Sequence, residues 1–164
     1  MKHTITALVE NEFGVLVRIA GLFSGRGYNI QSLTVAETLD PKFSRMTLVT
    51  SGNDSVMEQI TKQLNKLVNV IRVQDVTREN TINRVLALVK ITADKKVLPQ
   101  IKKQVSKLGG EILSSDSDCL VAEIRGDEKN LESALKKLKP YGILEFEKTG
   151  NIAMQKGKKV ISKW

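Results

Sequence analysis

Few side chains in this 164-residue chain are placed for covalent chemistry. It holds one His and one Cys, which excludes a His pair on a helix, an intrachain disulfide and a Cys-based zinc site within one chain. His3 has Thr4 beside it, no carboxylate is placed by sequence to orient it, and it reads as an exposed strand residue. Cys119 precedes Leu120 and Val121 in an apolar run and reads as a small buried hydrophobe rather than an activated thiol. Asp116 and Asp118 suit a polar hairpin turn better than a metal site. Ser24-Gly25-Arg26-Gly27 follows a helical stripe instead of preceding one, and no Gly-Lys-Ser/Thr comes after it. It therefore reads as a helix end, not a phosphate loop.

The segment Asn11 to Leu16 says more. It joins a strand to a helix N-terminus, where the amides of Phe13, Gly14, Val15 and Leu16 are among the donors without helical partners. A small carboxylate fits such donors, and Gly14 lets it approach the backbone. Asn11 and Asn29 offer amide oxygens to an ammonium group. With an apolar wall, these groups describe a site for a free aliphatic amino acid. On spacing alone, the plainer reading of Asn11, Gly14 and Asn29 as turn residues is the stronger one.

The elements that position these residues follow from periodicity. Ile5, Ala7 and Val9 alternate with Thr4, Thr6 and Leu8 as in a strand. Leu16, Ile19, Ala20 and Phe23 give one helical face, ended by Gly25 and Gly27. Ile30 to Glu37 and Ser44 to Thr50 read as strands around Asp40-Pro41. Ser55 and Glu58 have capping-box spacing before the stripe Val56, Ile60, Leu64 and Leu67, and Val70 to Val76 forms a strand.

The order then repeats. Arg84 to Ile91 is a strand; Val97, Ile101, Val105 and Leu108 make a helix stripe, with Pro99 in its first turn. Glu111 to Ser114 and Cys119 to Arg125 form a hairpin. Asp127 caps a helix carrying Leu131, Ala134, Leu135 and Leu138, which Pro140 ends, and Ile143 to Lys148 is the last clear strand. Lys156 to Trp164 reads as a mobile basic tail. The expected fold is α+β: two consecutive βαββαβ ferredoxin-like domains, 1–77 and 78–164, each an antiparallel sheet with helices on one face. The uncovered face of such a sheet predicts packing or sheet extension in an oligomer.

The formal charge is +8 and uneven. Residues 1–76 hold 8 Lys/Arg against 7 Asp/Glu, whereas 77–164 hold 18 against 11. Lys95, Lys96, Lys102, Lys103 and Lys107 line one helix, and Lys136, Lys137 and Lys139 another. A nucleic-acid-binding module would use such charge, but aromatics are 4% and no helix-turn-helix or glycine clamp accompanies it. The lysines read as solvated faces. No signal core and no apolar run of about 20 residues is present, so a cytoplasmic chain, not bound to membrane, is expected.

Glu10 to Ile19, Gly21 to Ile30, Ser32 to Val35 and Ser44 to Thr47 resemble the regulatory small subunits of acetolactate synthase (acetohydroxyacid synthase). Gln63 to Val70 and Leu88 to Ile91 do so as well. The likeness covers essentially the whole chain, densely over 8–76 and more thinly over 92–164. It implies an N-terminal ACT domain that pairs in a dimer or higher homo-oligomer, followed by a ferredoxin-like domain. It also implies a non-catalytic chain that binds and activates a catalytic large subunit and confers feedback inhibition by valine or another branched-chain amino acid. Thiamine diphosphate, Mg²⁺ and FAD are then expected in that large subunit and none in this chain. The implied effector residues are Asn11, Gly14, Val15 and Leu16 of one copy with Asn29 and Ile30 of another, and Val35 on the apolar side. A stand-alone amino-acid sensor acting on another enzyme is the alternative, because such domains are widely reused.

Overall fold

The computed structural model describes residues 1–161, in two units. In the first, β1 (Lys2–Glu10) lies between β3 (Phe43–Ser51) and β4 (Val70–Asp75), with β2 (Ile30–Glu37) outside β3. All these pairings are antiparallel, and β2 is an edge strand. Ile5, Ala7 and Val9 of β1 face α1 (Val15–Ser24) and α2 (Asp54–Leu64), joined by Met46 and Leu48 of β3. α1 buries Val15, Ile19, Leu22 and Phe23, a stripe turned from the expected one, which leaves Leu16 43% exposed at its margin. Each fully buried Leu, Ile or Phe contributes about 1.5–3 kcal/mol by leaving water.

The second unit repeats the plan. Strand order is β6 (Glu111–Ser115), β7 (Cys119–Gly126), β5 (Thr81–Thr92), β8 (Ile143–Lys148). α3 (Leu98–Lys107) and α4 (Glu128–Leu138) supply Ile101, Val105, Leu131, Ala134 and Leu138 to its core. Pro99 sits in the first turn of α3, as its missing N–H requires. The eight lysines singled out by sequence are exposed, but Lys95 and Lys96 precede α3 and Lys139 follows α4. These units establish the α+β, doubly ferredoxin-like architecture.

The C-terminal segment departs from expectation. Residues 150–161, which include the described part of the tail expected over 156–164, group with the first unit and not with the second domain. β9 (Ile152–Gln155) pairs with β5, whose first residues, Thr81 and Ile82, also belong to that unit. The segment straps the sheet face turned away from α1 and α2. Arg45 Nη2 donates to Ala153 O at 2.6 Å, and Arg72 Nη1 to Val160 O at 3.2 Å. Ala153 and Ile161 are buried, as are Thr6 and Leu8 on this outer face. The remainder of the expected tail, 162–164, lies outside the described residues.

Helix starts show how local chemistry competes. Asn53, not Ser55, caps α2: its Oδ1 accepts from Val56 N at 2.9 Å, while Glu58 pairs with Lys62 instead of closing a capping box. Asp127 caps α4 as expected, accepting from Asn130 N at 2.8 Å. Replacing either cap by Ala is expected to cost about 0.5–2 kcal/mol, read as a lower denaturant midpoint at unchanged slope; Ser55→Ala should cost less than Asn53→Ala.

Candidate amino-acid site on the first unit

Gly14 makes the turn from β1 into α1. Its φ of 80° is a left-handed conformation that disfavours a side chain, and nothing lies within 4 Å of where a Cβ would stand. Its carbonyl accepts from Arg18 N at 2.9 Å, the first bond of α1. No side chain caps α1 and no acidic residue occupies its first turn, in contrast to α2 and α4. Val15 N reaches Glu12 O only at 3.4 Å. The helix end is thus a cluster of amide donors beside open space, with the partial positive charge of the macrodipole behind it. Val15 contributes backbone alone, since its side chain is buried; Leu16 is the exposed apolar neighbour.

The turn is held from beneath. Asn69, 7% exposed, accepts from Arg18 Nη1 at 2.5 Å and donates through Nδ2 to Glu10 Oε2 at 2.6 Å and Glu12 Oε2 at 3.2 Å. Glu10 N donates to Asn69 O at 2.9 Å. On the other side, Asn11 brackets the β2–β3 hairpin: its N donates to Lys42 O at 2.7 Å and its Nδ2 to Pro41 O and Glu37 Oε1, both at 3.0 Å. Its Oδ1 accepts from Ser44 Oγ at 3.1 Å, so the amide oxygen expected for an ammonium already has a protein donor. The group that suits an ammonium here is the Glu37 carboxylate. Its place is not visible from spacing, because only the register Glu37↔Ser44, beside Glu10↔Phe43, brings it to Asn11.

Asn29 and Ile30 are not at this end. Ile30 pairs with Thr50, which pairs with His3, while Asn11 follows Glu10; from His3 to Glu10 the strand runs roughly 23 Å at about 3.3 Å per residue. Asn29 O accepts from Thr50 Oγ1 at 2.7 Å. Within one chain the seven expected residues therefore fall into two groups, at opposite ends of β2: Asn11, Gly14, Val15 and Leu16 at one, Asn29 and Ile30 at the other. Val35, 41% exposed, stands on β2 near the first group.

A separate cavity of about 540 Å³ lies between α2 and the end of β4, lined by His3, Met57, Thr61 and Asp75 with the ion pairs of Glu58–Lys62 and Asp54–Arg78 at its rim. His3 is buried, not exposed, and a carboxylate does orient it: Nδ1 lies 3.1 Å from Asp75 Oδ2. Antiparallel pairing of β1 with β4 brings these residues together, which their separation in sequence hides. Asp75 also accepts from the Thr77 amide at 2.9 Å and from its hydroxyl. Partial burial works against ionisation of Asp75, but the bonds from Thr77 and His3 outweigh it and hold the carboxyl below its usual range. Desolvation, Asp118 and Asp116 push the Cys119 thiol up, so it stays protonated at neutral pH. Among the described residues, no group of three His, Cys, Asp or Glu side chains is placed to hold a metal ion, and no helix is long and apolar enough to cross a membrane.

An antiparallel βαββαβ unit with a glycine turn opening onto uncapped helix amides, followed by a second ferredoxin-like unit, is the architecture of a chain that joins an ACT-type domain to a ferredoxin-like one. Comparison with known proteins gives its family. Residues 5–72 match the AHAS small subunit-like ACT domain, and 84–157 match the small subunit of acetolactate synthase. The acetolactate synthase small subunit of Mycolicibacterium smegmatis is 43% identical, with 94% of this chain and 91% of that protein covered. A probable acetolactate synthase small subunit of Archaeoglobus fulgidus is 42% identical, covering 97% and 99%. The crystal structure of the Thermotoga maritima acetolactate synthase small subunit superposes with a TM-score of 0.88 at 33% identity, covering 97% of this chain and 99% of that one. The chain belongs to the family of acetolactate synthase small subunits.

Because Asp75 has a depressed pKa, its contribution to stability is present above the unfolded pKa and is lost as pH falls through the folded one. Thermal melts run from neutrality down past about pH 4 should show wild type losing stability, and Asp75→Asn should flatten that dependence while lowering the melting temperature at pH 7.

Proposed function

We propose that this chain binds and activates the catalytic large subunit of acetolactate synthase, and makes it subject to inhibition by valine or a related branched-chain amino acid held between two copies of the chain. The observation that carries this reading is the division of the candidate residues between the two ends of edge strand β2. Two β2 strands paired antiparallel about a two-fold axis bring the Asn29–Ile30 end of one copy to the Asn11–Leu16 end of the other. Each half-site lacks what the other supplies, so two equivalent sites form only in the dimer.

In such a site the helix amides at Gly14 to Leu16 receive the carboxylate. Glu37, with the second copy's Asn29, faces the ammonium. Leu16, Val35 and the second copy's Ile30 surround the aliphatic side chain. A neutral zwitterion needs no net charge from the domain, in keeping with the near balance of 8 basic and 7 acidic residues over 1–76. Binding stabilises the dimer by mass action. Coupling is reciprocal: if the amino acid weakens activation, the activating arrangement binds it less well, by about 5–150-fold for a typical coupling of about 1–3 kcal/mol. The thiamine diphosphate, Mg²⁺ and FAD chemistry belongs to the large subunit, and this chain works from the cytoplasm as a non-catalytic partner.

Reconstitution tests the reading. Acetolactate formation by the catalytic subunit should rise on adding this chain and fall again as valine is titrated; an unchanged rate in the first step would sink the proposal. Calorimetry then addresses the site. Gly14→Asp places a second negative charge against the ligand carboxylate and should weaken valine binding by more than about tenfold. Gly14→Asn has the same shape without the charge and tolerates the left-handed conformation, so it should retain more affinity. Equal loss in both variants, or none in either, would remove the turn from the site.

A further inference from the structure

Beyond the effector-contacting residues, we infer that Gly150 is a positioning residue for edge strand β2: the C-terminal strap seats a residue without a side chain on Leu33 and Thr34 and thereby sets the edge that a second copy meets. This rests on the reading of β2 as the pairing edge.

The seat is a tight one. A Cβ at Gly150 would stand 2.4 Å from Thr34 Oγ1, 2.7 Å from Leu33 O and 2.8 Å from Leu33 C. Two of these atoms belong to the backbone of β2 and cannot swing aside as a flexible side chain would. Gly150 has no positive φ, so its requirement for glycine is one of space and not of conformation. The next residue continues the grip: Asn151 N donates to Ser32 Oγ at 3.0 Å. Three successive positions of β2, Ser32, Leu33 and Thr34, are thus touched by the strap midway between the two half-sites. Near the seat, β2 meets β3 with a register shift between Ile30 and Ser32, a point where pairing alone specifies the strand less firmly. On its other side β2 has no neighbouring strand in the sheet among the described residues, and edge strands owe their shape to whatever packs on their faces. The strap in turn is anchored to the same sheet through Arg45 of interior strand β3 and Arg72 of β4, the opposite edge strand. It therefore ties the otherwise one-sided strand to the rest of its own sheet.

The test uses the full-length chain in two forms, one gentle and one severe. Ser32→Ala deletes the acceptor for Asn151 N and adds no bulk; the dimer dissociation constant by analytical ultracentrifugation should rise about fivefold. Gly150→Val should raise it by more than about tenfold and weaken valine binding with it, although neither residue touches the proposed effector. Amide hydrogen exchange separates positioning from general damage: protection should fall in β2 in both variants while β1 and β4 remain protected. A wild-type dimer that both substitutions leave unchanged would overturn the inference alone. Loss of protection spread evenly over the sheet would overturn it too, in favour of a general structural role. A wild-type chain that stays monomeric with and without valine would overturn the reading of β2 as an interface, and this inference with it.

Discussion

Strand β1 is shut off from water on both faces, and much of the first unit follows from that. Ile5, Ala7 and Val9 are covered by two helices, as the βαββαβ plan provides. Thr6 and Leu8 point the other way, where that plan provides nothing. The segment 150–161 crosses that face, bonded to Arg45 of β3 and Arg72 of β4 on either side of β1. That cover brings half-buried Arg45 against a strap carbonyl and leaves the Thr6 and Thr34 hydroxyls enclosed. Among the described residues, the edge strands β2 and β4 have no further strand beside them in this sheet. The first unit thus has β1 covered on both faces while strand edges remain, which directs association sideways.

How much of this was legible from sequence depended on the range of the interaction. Period-2 alternation in β1 and the helical stripes report on local burial, and they placed every strand and helix of the two repeats. The α1 stripe was misjudged by one position because Val15, Leu16 and Val17 are all apolar, and only tertiary contact decides that Val15 turns inward. The cap of α2 was misplaced because Asn53 and Ser55 are both good capping types. β9 escaped notice altogether. Ile152 to Gln155 is short, and what fixes it is pairing with β5 and the bond from Arg45, 108 positions earlier, which leaves no local periodicity.

The site was legible in its backbone and not in its side-chain chemistry. A glycine between a strand and an apolar stripe announces a left-handed turn, and the uncapped helix end follows from the absence of Ser, Thr, Asp or Asn just before Val15. The role of Asn11 was harder. An amide side chain can serve a ligand or a neighbouring loop, and here it spans the hairpin at Pro41, Glu37 and Ser44. Glu37 and the Asp75 partner of His3 became visible only through strand register, which converts distant positions into neighbours. The same register separated Asn29 from Asn11, a division that neither residue's type or spacing encodes.

The strap also orders events in time. Its hydrogen-bonding partners Ser32, Arg45 and Arg72 precede it by 119, 108 and 88 residues. On a ribosome adding about 5–20 residues per second, roughly 4–18 s pass between the emergence of Arg72 and that of Val160. During that interval the four strands of the first unit can pair, but Thr6 and Leu8 stand uncovered while the whole second unit is being made. The first domain to be synthesised is the last to be finished, and such long-range closure is the slow kind. Side-by-side association before the strap has settled would join edges that are not yet set, so the order of synthesis favours assembly of completed chains.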